Sequence, residues 1–155
     1  MDDGDLDLAL KAVVFSAVGT CGQRCTSLRR AIIHEKVYDE FVSRLLKVYP
    51  TIKIGDPFDS QTLCGPLHTK AAVKEYEDGI KDILKDGGKI LHGGKVYENS
   101  NGGNYVYPTL VEIKWDAEIV KTELFVPILH LIKCSSFEEA VKINNSVPQG
   151  LSSGI

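Results

Sequence analysis

Residues 15–27 read FSAVGTCGQRCTS, and what this stretch means decides how the rest of the chain is read. An apolar run of Phe15, Ala17 and Val18 ends on a turn framed by Gly19 and Gly22, and Cys25 follows Gln23 by two residues. A cysteine in such a place has two readings. Packed away, it is a small hydrophobe with an inert sulfur. As a nucleophile, it needs backbone donors, a helix end or a positive charge nearby to favour the thiolate. Gly22 lets the backbone approach a ligand, and Arg24 sets a cation beside the sulfur. From the residues alone the buried reading is the ordinary one.

Working outward, residues 5–18 carry leucines, valines and alanines on nearly every side, the pattern of a buried helix. Asp2, Asp3, Asp5 and Asp7 sit at its start, where the helix dipole favours negative charge. Residues 28–34 (LRRAIIH) read as a strand. Residues 37–49 follow as an amphipathic helix, with Val37, Phe41 and Leu45 in one row and Val42, Leu46 and Tyr49 in the next. TIKIG is a short extended piece, followed by a loop holding Pro57, Gly65 and Pro66. Thr69 caps a helix running to about Asp86, striped by Val73, Tyr76, Ile80, Ile83 and Leu84, and Gly87 and Gly88 stop it.

Residues 89–92 form a short strand, and Gly93, Gly94, Asn99, Asn101, Gly102 and Gly103 mark a turn-rich loop. Residues 105–113 (YVYPTLVEI) read as a strand whose Pro108 points to an edge or a bulge. Residues 128–133 (ILHLIK) form an apolar strand. Ser136 and Glu139 make a capping box for a last helix, ended by Pro148 and Gly150. The closing LSSGI reads as the start of another strand. The alternation gives an α/β fold with an open, mainly parallel or mixed sheet and flanking helices. No G-x-G-x-x-G follows a strand, so no ordinary dinucleotide turn is present.

With 155 residues, the chain is long enough to bury a real core as one domain. It is 43% hydrophobic and 25% charged, with a net charge of −3 and no basic run, which argues against nucleic acid as a partner. The acidic MDDGDLDLAL start is unlike a secretory signal, and no apolar run spans a bilayer. That start implies a cytoplasmic protein, with the mitochondrion as the alternative for a longer form. Cys21, Cys25, Cys64 and Cys134 form no CxxC pair and read as reduced thiols. Cys21 and Cys25 would lie one turn apart on a helix, a minority reading as a redox or metal pair, while Cys64 and Cys134 read as inert. His34, His68, His92 and His130 show no metal-ligand spacing, so no metal is expected.

FSAVGTCGQRCTS resembles the active-site signature of the aldehyde dehydrogenase superfamily, with Gly22, Gln23, Arg24 and Cys25 at its core. DDGDLDLAL before it resembles the family's preceding segment. GPLHTK (65–70), YVYPTL (105–110), TELFVPIL (122–129) and QGLSS (149–153) resemble later segments in the same order. GQRCT with GPLHTK is most similar to the antiquitin branch, which oxidises α-aminoadipic semialdehyde in lysine breakdown. The resemblance implies that Cys25 attacks the aldehyde carbon to give a thiohemiacetal. Hydride then passes to NAD, with NADP as the alternative, and the remaining thioester is hydrolysed. It implies that the Cys25 N–H helps hold the oxyanion. Glu123 would accept from the nicotinamide ribose hydroxyls, and Phe125 would pack beside the nicotinamide. Arg24 would bind the far carboxylate of the substrate. The ordinary readings of Glu123 and Arg24 are a solvated acid and a surface or structural arginine. The pattern departs at Val126, where most of the family has glycine.

The resemblance also implies parts that lie outside residues 1–155. In the family, an adenosine-binding cofactor domain, a glutamate general base and an oxyanion asparagine precede the signature, and an oligomerisation arm follows. Residues 1–155 would then be the catalytic (cysteine) domain, truncated at both ends, inactive alone, with the cofactor-binding domain absent. The expected partners are a small-molecule aldehyde and, from the family, further copies of the chain, with neither nucleic acid nor membrane. The other reading is a non-catalytic module that keeps the fold and binds a partner through apolar surface such as that of residues 6–18.

Overall fold

The computed structural model describes residues 2–98 and 102–155, so Asn99 and Asn101 of the expected loop lie outside the described residues. Helix α1 (Leu6–Val18) begins where the Asp5 carboxylate accepts from the Asp7 and Leu8 N–H groups at 2.9 and 3.0 Å. Strand β1 (Arg30–His34) leads directly into α2 (Glu35–Val48). Helix α3 (Lys70–Lys85) starts on Thr69, whose hydroxyl accepts from the Ala72 N–H at 3.1 Å. It ends as a Schellman turn: the Gly88 N–H reaches Ile83 O at 2.8 Å and the Gly87 N–H reaches Leu84 O at 3.2 Å, with Gly87 at φ 82°. Strands β2 (Lys89–His92), β3 (Thr109–Glu112) and β4 (Ile128–Cys134) precede α4 (Phe137–Asn144). Ser136 caps α4 by accepting from the Glu139 N–H, while the Glu139 carboxylate accepts from the Ser135 N–H.

The four strands form one sheet in the order β1-β4-β3-β2. β4 runs parallel to both β1 and β3, and β2 runs antiparallel to β3, so the sheet is mixed and mainly parallel as expected. The central position of β4 follows from its sequence. Every residue from 128 to 134 except Lys133 is buried, the run of a strand covered on both faces.

Four expectations need correcting. The strand expected over 105–113 begins only at Thr109, and β3 lies inside the sheet rather than at an edge. Pro108 therefore sits just before the ladder, where its missing N–H costs no strand bond, and Val106 makes only an isolated bridge to Val96. The strand expected over 28–34 starts at Arg30, because Leu28 instead donates back to Ser16 O at 3.0 Å. Helix α1 is not buried all round: Val14, Ala17 and Val18 face the core, but Leu8 and Phe15 are 67% and 56% exposed. Finally, residues 151–155 form no strand, and Leu151 and Ile155 are exposed.

Candidate active site

The chain leaves α1 through a left-handed run. Thr20, Cys21 and Gly22 have φ of 57°, 53° and 68°, a conformation that costs a side-chain-bearing residue and is free only to glycine. Gly22 has a second reason to lack a side chain. A Cβ there would lie 2.6 Å from the Val126 carbonyl carbon and oxygen. The turn is therefore pressed directly onto the backbone of the segment before β4.

A tight turn over residues 24–27 follows. The Ser27 N–H donates to Arg24 O at 3.0 Å, and the Arg24 N–H donates to the Ser27 hydroxyl at 3.1 Å. Cys25 occupies the corner and is an exposed free thiol, the one exposed cysteine of the four. Among the described residues its N–H has no protein acceptor. Gln23 anchors the turn's other flank, donating to Pro66 O at 3.2 Å and accepting from the His68 N–H at 2.9 Å.

Glu123 lies on the segment that Gly22 touches. It is exposed, and its carboxylate stands 3.8 Å from Arg29 Nη2. Phe125 is held just beyond. Its ring lies 5.1 Å from the Arg29 guanidinium carbon, and its N–H donates to the Glu75 carboxylate at 3.1 Å. Gly79 of α3 makes room for the same segment, since a Cβ there would come 2.7 Å from Leu124 Cδ1. Val126, the departure from the resemblance, is fully buried and lends its carbonyl to Arg29 at 3.3 Å.

Arg29 is the residue that sequence reasoning missed. Its Nη1 donates to Gly22 O at 2.6 Å and to Val126 O; its Nη2 donates to Arg24 O at 3.2 Å and faces Glu123. One planar fork thus joins the cysteine turn to the Glu123–Phe125 segment. Burial pulls its pKa below the ordinary arginine value, and the charges of Glu123 and Glu75 oppose that shift. The only sequence signal was the tandem Arg29–Arg30 at the start of a strand, where a polar side chain must go somewhere.

Arg24, expected to bind a substrate carboxylate, rests against α1. Its guanidinium folds back over the Phe15 ring at 4.8 Å, and its Nε donates to the Thr20 hydroxyl at 3.0 Å. No carboxylate pairs with it among the described residues. Cys21 and Cys25 do not form a helical pair, because the left-handed run buries the first and exposes the second. No cluster of three metal-ligating side chains occurs among the described residues.

Two concavities, of about 410 and 520 Å³, lie elsewhere. One is beside His92, Lys95 and Tyr107; the other is beside Tyr38, Glu112 and Trp115. Cys25 and Glu123 are both exposed, and a thiol, a carboxylate and an aromatic ring are organised around one half-buried cation.

The Aldehyde dehydrogenase family pattern matches residues 1–155. Aldehyde dehydrogenase family 7 member A1 of Brassica napus is 56% identical over 155 residues, covering 100% of this chain and 31% of that protein. Alpha-aminoadipic semialdehyde dehydrogenase of Bos taurus is 48% identical, covering 99% of this chain and 28% of that protein. A solved betaine aldehyde dehydrogenase from Staphylococcus aureus, in complex with NAD+ and carrying a BME-modified cysteine, superposes with a TM-score of 0.94 at 25% identity. It covers 97% of this chain and 31% of that one. The chain thus spans about 30% of the length of the curated relatives it matches.

Proposed function

The chain belongs to the aldehyde dehydrogenase family, and on that premise we propose that it carries the nucleophile of an NAD(P)-dependent oxidation of an aldehyde to a carboxylic acid. The observation that carries the reading is the convergence on Arg29 of the Gly22 and Arg24 carbonyls and the Glu123 carboxylate, with exposed Cys25 at the corner between them.

The Cys25 sulfur adds to the aldehyde carbon and forms a thiohemiacetal. The Cys25 N–H, with no protein acceptor among the described residues, donates to the oxygen as negative charge develops on it. The likeness to alpha-aminoadipic semialdehyde dehydrogenase of Bos taurus points to α-aminoadipic semialdehyde as the aldehyde, whose remote carboxylate suits Arg24 once that side chain swings off Phe15. Glu123 and Phe125 fit the nicotinamide end of a cofactor: the carboxylate is exposed, the ring lies against Arg29, and Glu75 holds the Phe125 N–H. When bound there, NAD or NADP supplies the hydride acceptor. A resting turn held at both flanks keeps the sulfur placed for attack, which is where proximity contributes to rate.

In this reading residues 1–155 are the catalytic domain of a longer enzyme, and turnover needs the rest of it. The lone chain is expected to give no steady NADH production with any aldehyde. Alkylation is the direct test. Iodoacetamide should label Cys25 at least about tenfold faster than Cys64 or Cys134. A carboxylate-bearing semialdehyde should slow that labelling more than a neutral aldehyde of equal length, and Arg24→Ala should erase the difference. Equal, slow labelling of every thiol, untouched by aldehyde, would remove the basis of the proposal.

A second reading, a binding module without catalysis, is favoured by the bare Leu8 and Phe15 on α1. It predicts concentration-dependent association by light scattering, and a monomer at high concentration would count against it.

A further inference from the structure

Cys21 and Cys64 are both fully buried, and their sulfurs stand 3.4 Å apart. Neither takes part in the aldehyde chemistry, and the sequence had given Cys64 no partner. The two segments that carry them are otherwise unlike. Cys21 sits in the left-handed run that sets up the nucleophile turn. Cys64 lies on the 52–68 loop, where its carbonyl accepts from the Gly55 N–H at 3.1 Å and its N–H donates to Lys53 O at 3.2 Å. Gln23 already straps the same two segments together through Pro66 and His68. The segments carrying both thiols are therefore held together beside their contact, and the Cys64 Sγ lies 3.8 Å from Gly65 O as well.

We propose that Cys21 and Cys64 form a built-in dithiol site that a small peroxide oxidises to a disulfide, locking the nucleophile turn onto the 52–68 loop. The balance is simple. One thiol attacks a peroxide oxygen, becoming a sulfenic acid as the other oxygen leaves as water. The second thiol displaces a second water from that sulfur. Two S–H bonds are lost, one S–S bond forms, and the peroxide is reduced by two electrons. The sulfurs need to close from 3.4 Å to about 2.05 Å, a movement within reach of side-chain rotation in residues already in contact. The neighbouring thiol and burial both push the Cys21 thiol above its ordinary range, so the thiolate is scarce in the closed state and oxidation waits on transient opening of the 52–68 loop. That makes the site a slow one, distinct from exposed Cys25, which peroxide reaches directly. The proposal stands independently of the aldehyde reading.

The test uses the full 155-residue chain and its Cys25→Ser variant, which removes thiol exchange through the exposed sulfur. Each is incubated with hydrogen peroxide, blocked with N-ethylmaleimide and mapped without reduction. The expected product is a Cys21–Cys64 cross-linked peptide in both proteins, with Cys134 still alkylatable. Tm should rise by roughly 5–10 °C and fall back on adding dithiothreitol, because the bond closes a long loop of the unfolded chain. Amide exchange at Gln23 should slow in the oxidised form. Cys64→Ala should abolish both the cross-link and the Tm shift; if that variant folds poorly, the peptide map of the parent chain decides alone. Cys21 and Cys64 remaining as separate thiols, or a cross-link that maps to Cys25 instead, would overturn the proposal.

Discussion

Arg29 and His130 meet where β1 and β4 join, the His130 N–H donating to Arg29 O at 2.9 Å, yet the two side chains are withdrawn from water on opposite terms. The Arg29 guanidinium meets three carbonyls and a carboxylate, and among the described residues only its Nε is unpartnered. The His130 ring is 4% exposed, and neither of its nitrogens has a partner among the described residues. Burial, with Arg30 and Arg29 nearby, pushes its pKa down to about 4. The contrast separates two uses of a polar group that folding takes wholly or partly out of water. One gathers loops and organises a surface. The other is tolerated because it stays neutral, and it makes stability depend on pH.

The largest effect should come from breaking the organised side. Arg29→Met leaves the Gly22, Arg24 and Val126 carbonyls without their donor, and is expected to cost about 3–5 kcal/mol in urea unfolding. Arg29→Lys should recover only part of that, since an ammonium cannot serve the same spread of acceptors. Arg29→Lys should also slow Cys25 alkylation, which a loss of global stability alone would not do in the folded protein.

The tolerated side should show next, in acid. Unfolded, an imidazole titrates near 6.5; here the folded ring titrates near 4. The unfolded chain therefore takes up its proton first as pH falls. His130 should remove stability between about pH 7 and 4, by roughly 3 kcal/mol in all, with no further loss below. Denaturant titrations of the parent and His130→Leu across that range should differ by this slope, and the variant should match or exceed the parent at pH 7.

A tyrosine pair sharpens the same comparison at lower stakes. The Tyr76 hydroxyl is 2.6 Å from the Thr109 hydroxyl and 2.9 Å from Tyr107 O, so Tyr76→Phe should cost about 1–2 kcal/mol. The Tyr49 hydroxyl is buried and unpartnered among the described residues, and Tyr49→Phe should fall within about 0.5 kcal/mol of the parent or stabilise it. Equal costs for the two would show that hydrogen-bond partners are not what divides these buried groups.

Local signals were legible in the sequence because their causes are local. Thr69, Ser136 and the Gly87–Gly88 stop act within a few residues, and each stands where its pattern put it. The stretch around Cys25 and the segment from Glu123 to Phe125 were legible only as resemblance, since nothing in 122–127 by itself says that it meets residue 22. What joins them, Arg29, was hidden because its partners come from both sides of that long-range contact. Helix α1 was misread for a related reason. Periodicity reports how much apolar surface a helix has, and not what covers it: Val14 and Val18 met the core while Leu8 and Phe15 did not. The contact between Cys21 and Cys64 depends on a left-handed run that no propensity for threonine or cysteine favours.

The register that pairs Arg30 with His130 also sets a timetable for birth on the ribosome. The strand that completes β1 is translated about a hundred residues after it, and β3 waits for the same neighbour. At ordinary elongation rates that is a delay of roughly 5–20 s, during which raw strand edges are open to chaperones and to neighbouring nascent chains. Slowing translation ahead of β4 should therefore lower the yield of soluble protein more than the same pause placed after it.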